Sequence, residues 1–225
     1  MYSSILDELA SIEYDGLITY SRYNEPLADE IIIDRIALAR EKLPKSRLHT
    51  NTNGDYLTLP YLEQLYEAGL RSLNIQLYLG NNDTYDHEAI KARSRQTLRR
   101  IPLPATLMRD EPGEWFEQHL AFRDMTIRMY GRNFNNNGTS RGDQVNIHRR
   151  YVRTAPCLMP FWSVYVDFNG AVVPCCNFRS DIPPHADYIL GNLSTGESLF
   201  SIYGSESAAK FRESLLNEEV KSGLC

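Results

Sequence analysis

Over its first 130 residues the chain alternates short, β-prone apolar runs with stretches whose apolar side chains recur at helical spacing. Strands that alternate with helices pair in parallel through right-handed crossovers, which confines such a chain to a parallel barrel or a doubly wound sheet. Residues 2–12 carry Ile5, Leu6, Leu9 and Ile12 on one helical face. Gly16 stops that helix, and Leu17-Ile18-Thr19-Tyr20 follows as a strand. Pro26, at home in a first turn, predicts the next helix, with Ile32, Ile33, Ile36, Leu38, Ala39 and Leu43 as its buried stripe. Residues 47–52 then read as a strand, Asn53-Gly54-Asp55 as a turn, and residues 59–68 as a helix closed by Gly69. The same reasoning predicts a strand over 72–78, a polar helix over 84–99 and a strand over 105–109. A helix near Trp115 to Phe122 and a strand over 125–130 complete the series. The expected fold class is therefore α/β, with a partial parallel (β/α) barrel.

The pattern breaks at Gly131. Residues 131–154 hold Asn133, Asn135, Asn136, Asn137, Gly138 and several arginines with little apolar periodicity. The expected organisation is a first domain over 1–135, a linker over 136–154 and a small second domain over 155–225. In the latter, residues 162–168 and 171–173 flank Asn169-Gly170, the strongest short hairpin signal. A short amphipathic helix is expected from Ser207 to Leu216.

A formal net charge of −5 and a pI near 5.6 argue against nucleic acid as a general partner, because displacing counterions takes basic patches. The run at 148–153 is the one local exception, and a solvated loop is its ordinary explanation. No apolar run reaches the roughly 18 residues a membrane span needs, and residues 1–8 lack the basic and apolar regions of a signal peptide. A cytoplasmic protein without a membrane partner is expected. Its four cysteines, Cys157, Cys175, Cys176 and Cys225, all lie in the last third of the chain. Cytosolic chains rarely carry structural disulfides, which leaves metal ligation or burial as small hydrophobes.

In parallel α/β folds ligands sit at the carboxyl ends of the strands. There the sequence places Glu25 before a helix, Asn53 before Gly54, and Asn74 and Gln76 in an otherwise apolar run. Tyr23-Asn24-Glu25-Pro26-Leu27 resembles the G-G/Y-G-E-P-L motif of radical S-adenosylmethionine (SAM) enzymes, and Thr52-Asn53-Gly54 resembles that family's T-N-G strand end. The resemblance implies that Asn24, Glu25, Thr52, Asn53 and Gln76 bind SAM, with Glu25 accepting from its amino group. Asn24 stands where the family usually has glycine, and asparagine tolerates left-handed backbone better than other side chains.

Downstream, Cys157, twelve residues and then Gly170-Ala171-Val172-Val173-Pro174-Cys175 resemble the opening of a SPASM-type iron–sulfur domain. Cys225 looks like the first cysteine of that domain's next pair. The resemblance implies that Cys157, Cys175, Cys176 and Cys225 ligate a [4Fe–4S] cluster, the G-x4-C spacing favouring Cys175 over Cys176. It also implies SAM cleavage to a 5′-deoxyadenosyl radical, a substrate that is a peptide or protein side chain, and an electron donor such as a flavodoxin or ferredoxin.

The family's C-x3-C-x2-C motif, which holds the catalytic cluster, occurs nowhere in the sequence. The expectation is thus a fragment cut at both ends, inactive alone, with exposed sheet edges that favour self-association. Two rivals stand beside it: a non-catalytic SAM-like scaffold, and a zinc-binding interaction protein using the same cysteines.

Overall fold

The computed structural model describes residues 1–80, 84–138, 142, 144 and 153–221. They divide into two compact units, one of residues 9–137 and one of residues 1–8 with 138–225. The first helix, α1 (Tyr2–Ser11), therefore gives most of its length to the second unit.

The larger unit is built on a six-stranded sheet. Its parallel part comprises β1 (Leu17–Tyr20), β2 (Arg47–Thr52), β3 (Ser72–Gln76) and, next to β3, β6 (Met125–Arg132). Helices α2 (Ile31–Lys42), α3 (Leu59–Glu67) and α4 (His87–Arg100) link or follow these strands. The remaining strands, β4 (Ala105–Glu111) and β5 (Trp115–Phe122), run antiparallel, which gives the order β1-β2-β3-β6-β5-β4. A short helix, α5 (Phe134–Asn137), ends the unit.

The sheet's two faces differ in kind. Leu48, Leu73, Ile75, Ile127 and Met129 are each no more than 1% exposed and form one face of the core with Ile36, Ala39, Leu62 and Leu65 of the helices. Each buried Leu, Ile or Met among them contributes about 1.5–3 kcal/mol. Because side chains alternate along a strand, residues 49, 51, 72, 74, 76, 117, 119, 126, 128 and 130 lie on the opposite face, and nearly all of them are polar.

Two expectations are corrected here. Residues 115–122 are a strand and not a helix. Pro112-Gly113, with Gly113 at φ +81° and Glu114 N–H donating to Glu111 O at 3.0 Å, turns the chain between β4 and β5. Arg123, at φ +51°, then turns it from β5 into β6. A three-strand antiparallel run thus replaces the last expected crossover. Pro26 opens only a 3₁₀ turn, Pro26–Ala28, and α2 starts at Ile31, whose N–H is taken by Asp29 Oδ1 at 3.0 Å.

The smaller unit carries α6 (Met159–Trp162) and a three-stranded antiparallel sheet of β7 (Tyr165–Val166), β8 (Ala171–Val173) and β9 (Gly191–Asn192). Helices α7 (Leu199–Tyr203) and α8 (Glu206–Ser214) follow. The Asn-Gly turn forms as the sequence predicts: Gly170 takes φ +83° and its N–H donates to Asp167 O at 2.9 Å. Val172, Leu199 and Ile202 make the centre, with Ile5 of α1 packed against them. The Glu8 carboxylate accepts from Leu199 N–H and Phe200 N–H, both at 3.1 Å, and so caps α7.

Candidate functional site

Three groups of residues carry chemistry, and the first is a carboxylate fixed at the carboxyl ends of β1 and β2. Glu25 precedes the 3₁₀ turn, and its Oε1 accepts from Leu27 N–H at 3.1 Å. The same oxygen accepts from Thr52 Oγ1 at 2.5 Å, and Oε2 accepts from Asn53 N–H at 2.7 Å. Thr52, 3% exposed, is fixed in turn by Gly54 N–H, which donates to its hydroxyl at 2.9 Å. Gly54 is at φ +79°, and a Cβ there would stand 3.0 Å from Ile75 Cγ2, so the turn needs glycine. A carboxylate offers about four acceptor positions, and three are used here.

The structure therefore brings Glu25, Thr52 and Asn53 together. Thr52 and Asn53 reach Glu25 itself, and Asn53 Oδ1 is taken by Asp55 N–H at 2.8 Å. Asn24 is exposed and its φ is not positive. The left-handed position expected there falls instead on Arg22, at φ +147°, which stands at the first glycine of the motif. Its guanidinium lies 5.1 Å from the centre of the Tyr23 ring.

Gln76 ends β3, is 8% exposed, and lies in register with Tyr130, whose hydroxyl is 3.5 Å from Gln76 Oε1. Its Nε2 is buried and finds no partner among the described residues. An orphaned buried amide costs about 1–3 kcal/mol, so a ligand acceptor above the strand ends fits this position. A cavity of about 330 Å³ lies elsewhere, between Leu27, Tyr56, Thr58 and Tyr61, and none of the candidate residues lines it.

The second group is a polar network on the sheet face away from the helices, which reasoning from the sequence missed beyond Asn74 and Gln76. Glu117 is its centre. It receives Arg128 Nε and Nη2 at 2.9 and 3.0 Å, His119 Nε2 at 2.9 Å and Trp115 Nε1 at 3.0 Å. Arg128 foremost, with His119 and Trp115, holds its pKa down at about 2. Beside it, Asn74 Nδ2 donates to Asn51 Oδ1 at 2.9 Å. His49 has Nδ1 2.8 Å from Ser72 Oγ and Nε2 3.3 Å from Asn51 Oδ1, and burial lowers its pKa. Asn51, Asn74, Arg128 and His119 are successive register partners across four strands. The recurrence of polar residues at every second position of β2, β3, β5 and β6 is the signal that could have found them.

The third group is the cysteines. Cys157 is half-buried, and its N–H donates to Leu215 O at 2.9 Å, tying it to the end of α8. Cys175 follows β8 by one proline and is half-buried, whereas Cys176 is exposed. Asn177 N–H donates to Cys175 Sγ at 3.4 Å, the type of contact that stabilises a ligating sulfur and tunes a cluster's potential. The turn is anchored by Phe178, fully buried and stacked on Tyr188 at 4.3 Å. Cys225 lies outside the described residues, as does most of the basic run at 148–153. Among the described residues no three His, Cys, Asp or Glu side chains converge as a metal site. Nor, among them, is any helix long and apolar enough to cross a membrane.

Comparison with known proteins adds the following. Residues 157–225 match the family model SPASM, an iron–sulfur cluster-binding domain. An S-adenosyl-L-methionine-dependent 2-deoxy-scyllo-inosamine dehydrogenase of Niallia circulans is 29% identical over 80 residues, 36% of this chain and 32% of that protein. The matched stretch thus spans about a third of that relative's length. The crystal structure of BtrN in complex with AdoMet and 2-DOIA is similar in fold with a TM-score of 0.70 and 19% identity, covering 96% of this chain and 73% of that one. BtrN in an open conformation gives a TM-score of 0.62 at 18% identity, over 100% and 76% of the respective chains.

Proposed function

We propose that this chain, whose residues 157–225 match the SPASM iron–sulfur cluster-binding domain, is a protein of radical SAM type that serves in the SAM-dependent oxidation of a small hydroxylated substrate. The observation that carries this reading is the Glu25 carboxylate, held by Thr52 and Asn53 at the strand ends with one acceptor position left for an ammonium group. Thr52 and Asn53 orient Glu25, while Gln76 Nε2 offers a donor two strands away. SAM and [4Fe–4S] clusters are its cofactors, and together they supply the one-electron chemistry. Cys157 and Cys175 are the two described thiols that would hold the auxiliary cluster, with Cys225 as a further ligand and Cys176 in a secondary role.

Substrate class follows from the polar sheet face. Amides, imidazoles and a neutralised Arg128–Glu117 pair alternate donors and acceptors without strong net charge, which suits several hydroxyl groups on one small molecule. The dehydrogenase relative, by its name, acts on a compound of that kind. A peptide side chain is the competing substrate, and a flavodoxin or ferredoxin is the electron donor this chemistry calls for.

A second reading is favoured by one observation: the sequence holds four cysteines, none in the C-x3-C-x2-C spacing. On that reading the chain by itself does not cleave SAM. Calorimetric titration of SAM into the anaerobically reconstituted chain and into Glu25→Gln tests the first reading. It predicts at least tenfold weaker binding in the variant, about 1.4 kcal/mol. Equal affinity in both proteins would refute it.

A further inference from the structure

The oxidation of an alcohol carbon to a carbonyl removes a hydrogen atom from carbon, a proton from oxygen and one electron. SAM and iron–sulfur chemistry account for the atom and the electron, whereas the proton needs a base. A base on the polar face must have an acceptor atom that the protein itself leaves unused.

Four of the five histidines lie among the described residues, and three of them have both ring nitrogens engaged. His49 is held between Ser72 and Asn51. His87 lies between the Tyr85 hydroxyl, 3.0 Å from Nδ1, and Asp110, 2.5 Å from Nε2. His185 accepts from Arg179 N–H at 2.9 Å and meets Gly142 O at 3.1 Å.

His119 differs. Its Nε2 lies 2.9 Å from Glu117 Oε1, and its Nδ1 has no partner among the described residues. Its side chain is 42% exposed, so the free nitrogen is within reach of a ligand. Glu117 has Arg128 bidentate upon it and is ionised, and an ionised carboxylate only accepts. The hydrogen of the neutral imidazole therefore sits on Nε2, which leaves Nδ1 as a bare acceptor.

Its position fits the task. His119 is the direct register partner of Arg128, and Arg128 spends Nε and Nη2 on Glu117, leaving Nη1 as a donor at the same level. An acceptor and a donor thus belong to register partners on adjacent strands. The row of Gln76, Tyr130 and Glu117 is two residues nearer the cofactor end, roughly 7 Å along the strands.

We propose that His119 Nδ1 takes the proton of the substrate hydroxyl, with Glu117 fixing the tautomer and Arg128 Nη1 holding the oxygen. The O–H bond breaks, an Nδ1–H bond forms, and the resulting imidazolium stands against the Glu117 carboxylate. This inference rests on the reading of the substrate as a small hydroxylated molecule.

Ring-nitrogen NMR of the full chain, with His119→Gln to assign the signals and myo-inositol as the probe, tests it without turnover. The expected result is a protonated Nε2 and a bare Nδ1 at rest. The Nδ1 signal then moves upfield as inositol saturates the site, and Arg128→Gln weakens inositol binding at least tenfold. A resting Nδ1–H tautomer overturns the proposal. So does inositol binding that leaves Nδ1 unmoved, in which case the substrate reading survives. Failure of inositol to bind the parent chain overturns both.

Discussion

Replacing Glu117 by glutamine removes the charge on which the polar face is organised. Its side chain is 11% exposed and takes four hydrogen bonds, which hold its pKa at about 2 against an ordinary 4.5. That depression corresponds to about 3.4 kcal/mol of folding stability. Arg128 is 39% exposed, and solvent screening reduces the expected loss to about 2 kcal/mol. Because the folded pKa lies below the unfolded one, the stabilisation is complete above about pH 4.5 and is lost as pH falls towards 2. More than half of the gap between parent and Glu117→Gln should therefore have closed by pH 3. Trp115, stacked on Tyr130 at 5.5 Å and bonded to Glu117, reports the transition locally. The other tryptophan, Trp162, is 75% exposed and can be replaced by Phe beforehand. Urea denaturation followed by Trp115 fluorescence at pH 7 and pH 3 is the assay. A difference below about 0.5 kcal/mol at pH 7, or one that does not change with pH, would refute the reasoning.

Other perturbations are expected to act as follows. Thr52→Val keeps the shape but removes the donor to Glu25 and the acceptor for Gly54 N–H, and should cost about 2 kcal/mol in urea denaturation. Gly54→Ala forces a Cβ into a left-handed position against Ile75 and should cost about 1–2 kcal/mol by the same measurement. His185→Phe leaves Arg179 N–H and Gly142 O without their fully buried partner, and should lower the melting temperature followed by circular dichroism by several degrees. Cys175→Ala should lose bound iron while Cys176→Ala keeps most of it, since Cys175 is half-buried with the Asn177 N–H on its sulfur whereas Cys176 is exposed.

The parallel strands β1, β2, β3 and β6 and helices α2 to α4 were legible because their signals are local: apolar periodicity, prolines at starts and glycines at stops. The β4–β5 hairpin was not read, although Pro112-Gly113 announces a turn, because eight apolar and polar residues at 115–122 satisfy helical spacing as readily as strand alternation. Glu25, Thr52 and Asn53 were singled out through a motif, which suggested that all three face a ligand. The structure shows two of them serving the third. Glu117, Arg128 and His119 escaped because what unites them is register between β5 and β6, a non-local property. The cysteine spacing from 157 to 175 was readable for the opposite reason, since a tight hairpin with a three-residue loop, 168–170, lies within it and its signal is local.

The central claim is that residues 157–225, which match the SPASM iron–sulfur cluster-binding domain, hold an iron–sulfur cluster. Iron and labile sulfide content after anaerobic reconstitution, measured on the parent chain and on Cys157→Ala, tests it most directly. The account predicts iron and sulfide in equal amounts with visible absorbance in the parent, and loss of both in the variant. A parent that binds no iron, or a Cys157→Ala variant that keeps the parent's full content, would contradict it.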